Sequence, residues 1–337
     1  MIVPGVEIGN HQLVSLRGRR GVDAVWAART CSALEEPSLM QTTLPTPAAR
    51  RGSLGDAMKR LLFWLVLLGG AAAAAYLYLP QLQGLLGGGG AGAGAGALPV
   101  GADGCPEGMV RIEAGTFTMG KRGASGDRGP AHEVTLSAYC IDETEVTVAA
   151  YRRCVDGGGC EAPREGKHCN FGLGGREDHP VNCVTWAQAD RYCRWIGGRL
   201  PTEAQWERAA RGDDGRRFPW GSARATRRRA HFSKGAWLTD SLPVKSLPKG
   251  KSPYGLWQMA GNVCELVSDY YAERYPERPV TDPQGPDSGS RRVCRGGSFN
   301  NRRADAISTT FRRRGYSPGS TDELTGMRCA ADPAEAE

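Results

Sequence analysis

The spacing of apolar and polar residues predicts mostly short elements in the second half of the chain. Residues 108–112 and 115–120 alternate with a period of two between glycines, which predicts the two strands of a hairpin. Residues 133–136 and 139–142 have a similar strand-like pattern and predict two further strands. No alternation of strands with long helices follows, so the pattern favours an α+β fold over a parallel α/β sheet.

Three segments carry the spacing of amphipathic helices. Residues 144–154 predict a short helix capped by Thr147, and residues 185–197 predict a stronger one. A third helix is predicted to begin at Thr202, which has Gln205 three residues later, the spacing of a capping box. Beyond these helices the chain is rich in Pro, Gly and Arg, with strand-like pieces near 255–266 and 292–299.

The longest apolar run, residues 61–79, is uncharged over nineteen residues, about the length that a bilayer requires. Lys59 and Arg60 precede it, and the following flank is uncharged up to Asp103. The positive-inside rule therefore predicts a single-pass anchor in a bacterial-type cytoplasmic membrane, with the C-terminal part in the periplasm or outside. The alternative is a secreted protein, cleaved near Ala75.

The run also suggests how the chain divides. Met58 opens a basic and then apolar stretch that is typical of a signal start, so the preceding residues are expected to be spurious or disordered. The Gly/Ala-rich segment after the run has a root-mean-square reach of roughly 25 Å. The predicted regions are 1–57 (spurious or disordered), 58–80 (anchor or signal), 81–104 (linker), 105–332 (globular domain) and 333–337 (tail).

Cysteine usage indicates an oxidising compartment. Of eleven cysteines, Cys31 precedes the apolar run and an even set of ten follows it. Such a set downstream of an export signal predicts five disulfides. A zinc site would need CxxC pairs or histidines in register, and the sequence has neither.

The net charge indicates little about the partners of the protein. The net charge of +7 is a mild excess for 337 residues, and a solvated basic face explains it as well as an acidic partner does. Nucleic acid is not expected as a partner, because the domain is predicted to lie outside the cytoplasm and no aromatic residues interleave with its arginines. The oligomeric state stays open.

Eight short blocks, in order, resemble the formylglycine-generating enzyme (sulfatase-modifying factor) family. They are 108–110 with 115–120, 143–147, 179–181, 198–207, 218–221, 254–256 with 259–263, 295–298 and 326–329. The resemblance implies the family's variant of the C-type-lectin-like fold over roughly residues 105–332, preceded here by the predicted transmembrane helix.

One departure from the family separates fold from activity. In the family's enzymes a Gly-Gly-Ser strand leads into a loop with two cysteines, which bind copper and oxidise a substrate thiol. Here no cysteine lies between Cys294 and Cys329. Soft thiolate ligands select Cu(I), so no copper and no formylglycine-generating oxidase activity are expected.

The resemblance also implies a calcium site and one disulfide. The calcium ligands would be the Gln258 side chain, the carbonyls of Gly261 and Val263, and Glu265, an all-oxygen set that suits a hard cation. Gln258 is neutral where the family often has a carboxylate, so a weakened site is expected. The alternative is a buried Glu265 that is satisfied by backbone donors.

The disulfide that the family implies is Cys193–Cys329. We expect four further pairs on weaker grounds, namely Cys105–Cys140, Cys154–Cys160, Cys169–Cys183 and Cys264–Cys294.

The position of the family's substrate groove suggests a ligand site. The residues expected to line it are Ser298, Asn300, Asn301, Arg302 and Arg303. No GxSxG elbow surrounds Ser298, and no catalytic residue is predicted. Guanidinium groups suit carboxylate and phosphate ligands, so the favoured hypothesis is a non-catalytic domain that binds a peptide or an acidic glycan. The alternatives are a protein-modifying enzyme of altered chemistry and a purely structural envelope protein.

Overall fold

The computed structural model describes residues 96–234 and 240–334. The predicted anchor at 61–79, most of the Gly/Ala linker and Cys31 lie outside these ranges. Within them, none of the helices has both the length and the apolar character needed to cross a membrane.

Each helix begins at a residue whose side chain caps it. The helices are α1 (Val148–Asp156), α2 (Trp186–Trp195) and α3 (Glu203–Arg211). Thr147 accepts a hydrogen bond from the backbone of the first turn of α1. Thr185 with Gln188, and Thr202 with Gln205, form complete capping boxes at the starts of α2 and α3. The predicted caps at Thr147 and Thr202 are confirmed, and the box at Thr185 was not foreseen.

In the described residues, ten short strands form three small sheets. The strands are β1 (Met109–Ile112), β2 (Gly115–Met119), β3 (His132–Leu136), β4 (Tyr139–Asp142), β5 (Cys264–Tyr270), β6 (Val280–Thr281), β7 (Arg292–Arg295), β8 (Arg312–Tyr316), β9 (Thr325–Met327) and β10 (Ala330–Ala331). Their orders are β1-β4-β10, β2-β3-β6 and β8-β7-β5-β9. Two pairs, β3 with β6 and β5 with β9, are parallel, so the sheets are mixed. The predicted α+β class is confirmed.

The predicted hairpin at residues 108–120 is wrong, although both of its strands exist. Val110 of β1 pairs with Ile141 of β4, whereas Phe117 of β2 pairs with Val134 of β3. The link between β1 and β2 is Glu113-Ala114, and neither residue adopts a positive φ. Two-residue hairpin turns usually need a positive φ, so this link does not form a hairpin turn. The chain instead crosses here from the sheet of β1 to the sheet of β2.

The core has two main parts. One packs α1 and α2 around Tyr151, Tyr192 and Leu200, and the other packs Trp206 of α3 against Leu136 of β3. The structure contains the five expected disulfides, Cys105–Cys140, Cys154–Cys160, Cys169–Cys183, Cys193–Cys329 and Cys264–Cys294.

Candidate functional site

A two-glycine turn ends β7 and starts the loop on which the predicted ligand site lies. Gly296 and Gly297 have φ values of 85° and 70°, in the left-handed region. A Cβ on Gly297 would lie 2.1 Å from the carbonyl oxygen of Ala306, so a larger residue is excluded by both conformation and space. The turn therefore places the loop of residues 298–310 directly against its own return segment.

A buried ion network supports this turn from below. Arg295 is fully buried; its Nη1 lies 3.1 Å from Glu203 Oε1 and its Nη2 lies 2.6 Å from Glu207 Oε2. Glu203 also accepts hydrogen bonds from Nε and Nη2 of Arg312, at 2.6 and 2.9 Å. Arg295 Nη2 further donates to the carbonyl oxygen of Thr309, 2.6 Å away in the loop. The loop is thus tied to α3 by charge-assisted hydrogen bonds in a dry environment, which makes it a rigid element.

The predicted groove residues divide into structural and accessible ones. Ser298 is buried, and its backbone N–H donates to Asn301 Oδ1 at 2.7 Å. The Asn301 carbonyl accepts from the Ser233 N–H at 2.9 Å, so Asn301 holds the loop against the neighbouring segment. Arg302 and Arg303 are exposed. The two arginines, rather than Ser298, are therefore the side chains that this loop exposes to solvent.

Asn300 is the remaining groove residue. It is half-buried, and its Oδ1 is buried without a hydrogen-bond partner among the described residues. An unpaired buried acceptor costs free energy, about 1–3 kcal/mol in proteins. A ligand that carries a hydrogen-bond donor would be favoured at this position.

The described part of the chain has no thiolate to offer a metal. All ten of its cysteines are in disulfides. Cys264 and Cys294 join the neighbouring strands β5 and β7.

Next to the loop lies a cleft of about 690 Å³, named here the Asp305 cleft. Its lining includes Lys121 and Arg122 after β2, Arg211 at the end of α3, and Arg217 in the following loop. Burial alone would raise the pKa of Asp305, but the hydrogen bond and charge of Arg128, 2.6 Å away, hold that pKa below its ordinary value. Asp305 is therefore ionised at neutral pH and is already paired.

Sequence reasoning missed this cleft. Its cationic side chains come from three places, 121–122, the end of α3 and the loop at 216–217, and only the last two, within Arg-Gly-Asp-Asp-Gly-Arg-Arg at 211–217, have a visible signal. Alternating Arg and Asp within a glycine-rich turn indicates a structured charged loop, but the strand and helix that face it cannot be inferred from spacing.

A second cleft, of about 570 Å³, has Asp269 at its wall. Burial, followed by the nearby Glu203 charge, raises the pKa of Asp269 to about 7. Asp269 Oδ2 accepts the Glu203 backbone N–H at 2.7 Å, in the first turn of α3. The Asp269 carboxyl group therefore has a structural role, because a helix N-terminus favours an acceptor with negative charge.

The predicted calcium ligands fit a weak site rather than a tight one. In favour, Gln258 Oε1 is buried without a hydrogen-bond partner among the described residues. Against a tight site, Glu265 pairs with Arg328 through both carboxylate oxygens, at 2.6 and 2.7 Å. Glu265 Oε2 also accepts Trp206 Nε1 at 2.5 Å, so buried Glu265 is satisfied by side-chain donors, where the alternative predicted backbone donors. If calcium binds here, Gln258 and the carbonyls of Gly261 and Val263 would hold the ion, and the ion would cross-link this segment.

The calcium prediction can be tested through stability. We expect millimolar calcium chloride to raise the melting temperature of the protein, because an ion bound only by the folded state stabilises it. Gln258→Leu should abolish this rise, and Gln258→Glu, which adds a carboxylate of similar size, should increase it. Magnesium chloride at equal concentration is the control, and equal shifts in wild type and Gln258→Leu would contradict the site.

Comparisons with known proteins agree with the geometry. The family model for the sulfatase-modifying factor enzyme 1-like domain matches residues 99–333. The formylglycine-generating enzyme of Streptomyces coelicolor is 34% identical over 285 residues, covering 67% of this chain and 89% of the enzyme. The hercynine oxygenase of Mycolicibacterium smegmatis is 31% identical over 245 residues, covering 60% of this chain and 56% of that enzyme. The solved structure of Treponema denticola variable protein 1 aligns with a TM-score of 0.54 and 26% identity, covering 67% of this chain and 95% of that one.

The family match covers the elements that form the candidate site. It includes the glycine turn, the loop of residues 298–310 and the helix α3 that supports them. From residue 99 to residue 333, the chain belongs to the family of sulfatase-modifying factor enzyme 1-like domains.

Proposed function

We propose that this domain is a non-catalytic binding module for a peptide or an acidic glycan. The observation that carries the proposal is the state of the cysteines. None lies between Cys294 and Cys329, and the ten in the described residues are all paired. Copper-dependent thiol oxidation needs thiolate ligands, and a disulfide supplies none.

The chemistry of the ligand follows from the loop that replaces the catalytic one. Arg302 and Arg303 are exposed next to the buried glycine turn. Asn300 lies between them and Ser298 in sequence, and its buried, unpaired Oδ1 accepts a hydrogen bond from a ligand once the side chain turns toward solvent. Guanidinium groups bind carboxylates and phosphates through paired hydrogen bonds. A ligand with both acidic groups and N–H or O–H donors suits this arrangement, which is the case for peptides and acidic glycans.

The location is part of the proposal. The apolar run at 61–79 would anchor the chain in a bacterial cytoplasmic membrane, and residues 81–104 would let the domain move over roughly 25 Å on the outer side. An abundance of disulfides is what such a compartment permits. A secreted form, cleaved near Ala75, is the alternative.

The binding role predicts a specific loss of ligand. Arg302→Ala/Arg303→Ala should weaken a ligand found on a peptide and glycan array at least tenfold, since charge-assisted hydrogen bonds of about 1.5–3 kcal/mol are removed. Arg164→Ala/Lys167→Ala removes the same charge from an exposed segment between Cys160 and Phe171, which belong to the core around α1 and α2, and should leave binding unchanged. The absence of any binder, or equal weakening by the two double variants, would refute the proposal.

A second candidate is a protein-modifying, oxidase-like enzyme of altered chemistry on the same scaffold. It is favoured by the relatives, which include formylglycine-generating enzymes and a hercynine oxygenase. This candidate requires a turnover that Ser298→Ala or a change at Arg302 abolishes. Alkylation and mass spectrometry separate the two candidates further, because two free thiols at Cys264 and Cys294 would reopen the oxidase chemistry.

A further inference from the structure

The Asp305 cleft contains a buried guanidinium with an unsatisfied donor. The Arg211 side chain is only 10% exposed. Its Nη1 donates to the carbonyls of Thr118 and Gly120 and to Glu207, and its Nη2 donates to Gly215. Arg211 Nε has no hydrogen-bond partner among the described residues. Arg211 also lines the cleft, so its buried positive charge lies close to an anion bound there.

The buried network behind the cleft has an excess of positive charge. Two carboxylates, Glu203 and Glu207, face three guanidinium groups, those of Arg211, Arg295 and Arg312. The nearby Asp269 carboxyl adds less than a full negative charge at neutral pH, because burial raises its pKa to about 7. An unbalanced buried charge raises the local positive potential, since the surrounding protein screens it less than water would. An anion in the adjacent cleft is therefore favoured electrostatically.

The carboxylates that line the cleft do not cancel this potential, because each has a partner. Asp213 lies 2.9 Å from Arg208 Nε, Asp214 lies 2.7 Å from Arg216 Nη2, and Asp305 lies 2.6 Å from Arg128 Nη1. Arg208 and Arg128 do not line the cleft, whereas Arg216 does, so only Asp214 neutralises one of the cations that face the cavity.

Other cations at the cleft remain available. Lys121 and Arg122 are exposed, and no carboxylate in the described parts of the chain forms an ion pair with either. Arg217 Nη2 is 3.9 Å from Asp305, a loose contact, and its guanidinium lies over Phe218. The hydroxyl group of Thr310 adds a neutral donor to the same wall.

We propose that the Asp305 cleft binds a terminal phosphate or sulfate ester, an inference that rests on the proposed binding of an acidic ligand. Cations reach the cleft from three chain segments, after β2, at the end of α3 and in the loop at 216–217. A carboxylate has two oxygens in one plane, whereas a phosphate or sulfate ester presents three terminal oxygens in different directions and matches converging donors better. The volume of about 690 Å³ also suits a small ligand group.

The test is calorimetric titration of the full chain with inorganic phosphate, inorganic sulfate and acetate at constant ionic strength. We expect saturable binding of phosphate, sulfate or both, and none of acetate; the stronger of the two identifies the ester. Lys121→Ala/Arg122→Ala should weaken that binding at least tenfold, and Arg227→Ala/Arg228→Ala, with the same change in charge, should change it less than about twofold. No saturable heat with either anion, equal binding of acetate, or equal weakening by both variants would overturn the assignment.

The anion-binding proposal and the proposed function can fail independently of each other. Loss of a peptide or glycan ligand in Arg302→Ala/Arg303→Ala, without binding of either inorganic anion, would overturn the oxyanion cleft and leave the binding module standing. Saturable anion binding with no ligand on the array would support the cleft while the binding module fails.

Discussion

Replacing Glu203 with glutamine is expected to destabilise the domain by about 3–5 kcal/mol, because it leaves a buried charge uncompensated. Glu203 is 3% exposed and accepts hydrogen bonds from Arg295, Arg312 and the Tyr275 hydroxyl. Glutamine preserves the shape of the side chain but removes the negative charge. Arg312 would then lose the carboxylate with which it pairs, and Arg295 would keep only Glu207, which already pairs with Arg211.

Urea unfolding followed by circular dichroism measures this effect. The matched control is Glu277→Gln, because Glu277 is 81% exposed at the side chain and contacts only Arg274 in its ion pair, so no measurable change is expected. A Glu203→Gln variant as stable as the control would mean that solvent reaches the network and screens it. The expected loss would also loosen the loop at 298–310, since Arg295 bonds Thr309.

Removing the Cys193–Cys329 disulfide should have an effect of similar size. The bond closes a sequence separation of 136 residues, and the chain-entropy relation assigns such a loop about 5 kcal/mol. The Cys154–Cys160 bond closes a separation of only 6 residues, for which the same relation gives about 2 kcal/mol. The difference arises in the unfolded chain, whose freedom the longer loop restricts more.

The two pairs can be compared in one protein by making Cys193→Ala/Cys329→Ala and Cys154→Ala/Cys160→Ala. Both pairs are buried, so the loss of packed sulfur is similar. The first variant is expected to lose more free energy of unfolding than the second. Equal losses would indicate that the remaining disulfides already shorten the longer loop, or that its residues stay associated after unfolding.

Local features of the fold could be predicted because their physics is local. The caps at Thr147 and Thr202 depend on residues within one helical turn, and both occur as expected. The four early strands follow from the period of two. Strand partners could not be predicted in this way, because the alternation at 108–120 is compatible with any neighbouring strand. The structure places the two halves of this segment in separate sheets.

The arginines illustrate the same limit for the candidate site. Arg302-Arg303 and Arg312-Arg313 look alike as sequence, but the first pair is exposed while Arg312 is 2% exposed and pairs with Glu203. The predicted groove residue Ser298 is likewise buried. Which basic residues meet solvent depends on the position of α3, more than ninety residues earlier in the chain, and no local pattern contains that information.

The sequence by itself determined the family, the helix caps and the absence of cysteine from the loop before Cys329, because each is a property of residue identity and short spacing. Only the tertiary structure decided which strands pair, which arginines are buried against Glu203 and Glu207, and that Arg211 meets Lys121 and Arg122 at one cleft. Those properties arise from contacts between segments far apart in the chain, where burial changes the free energy of a charge far more than its neighbours in sequence do.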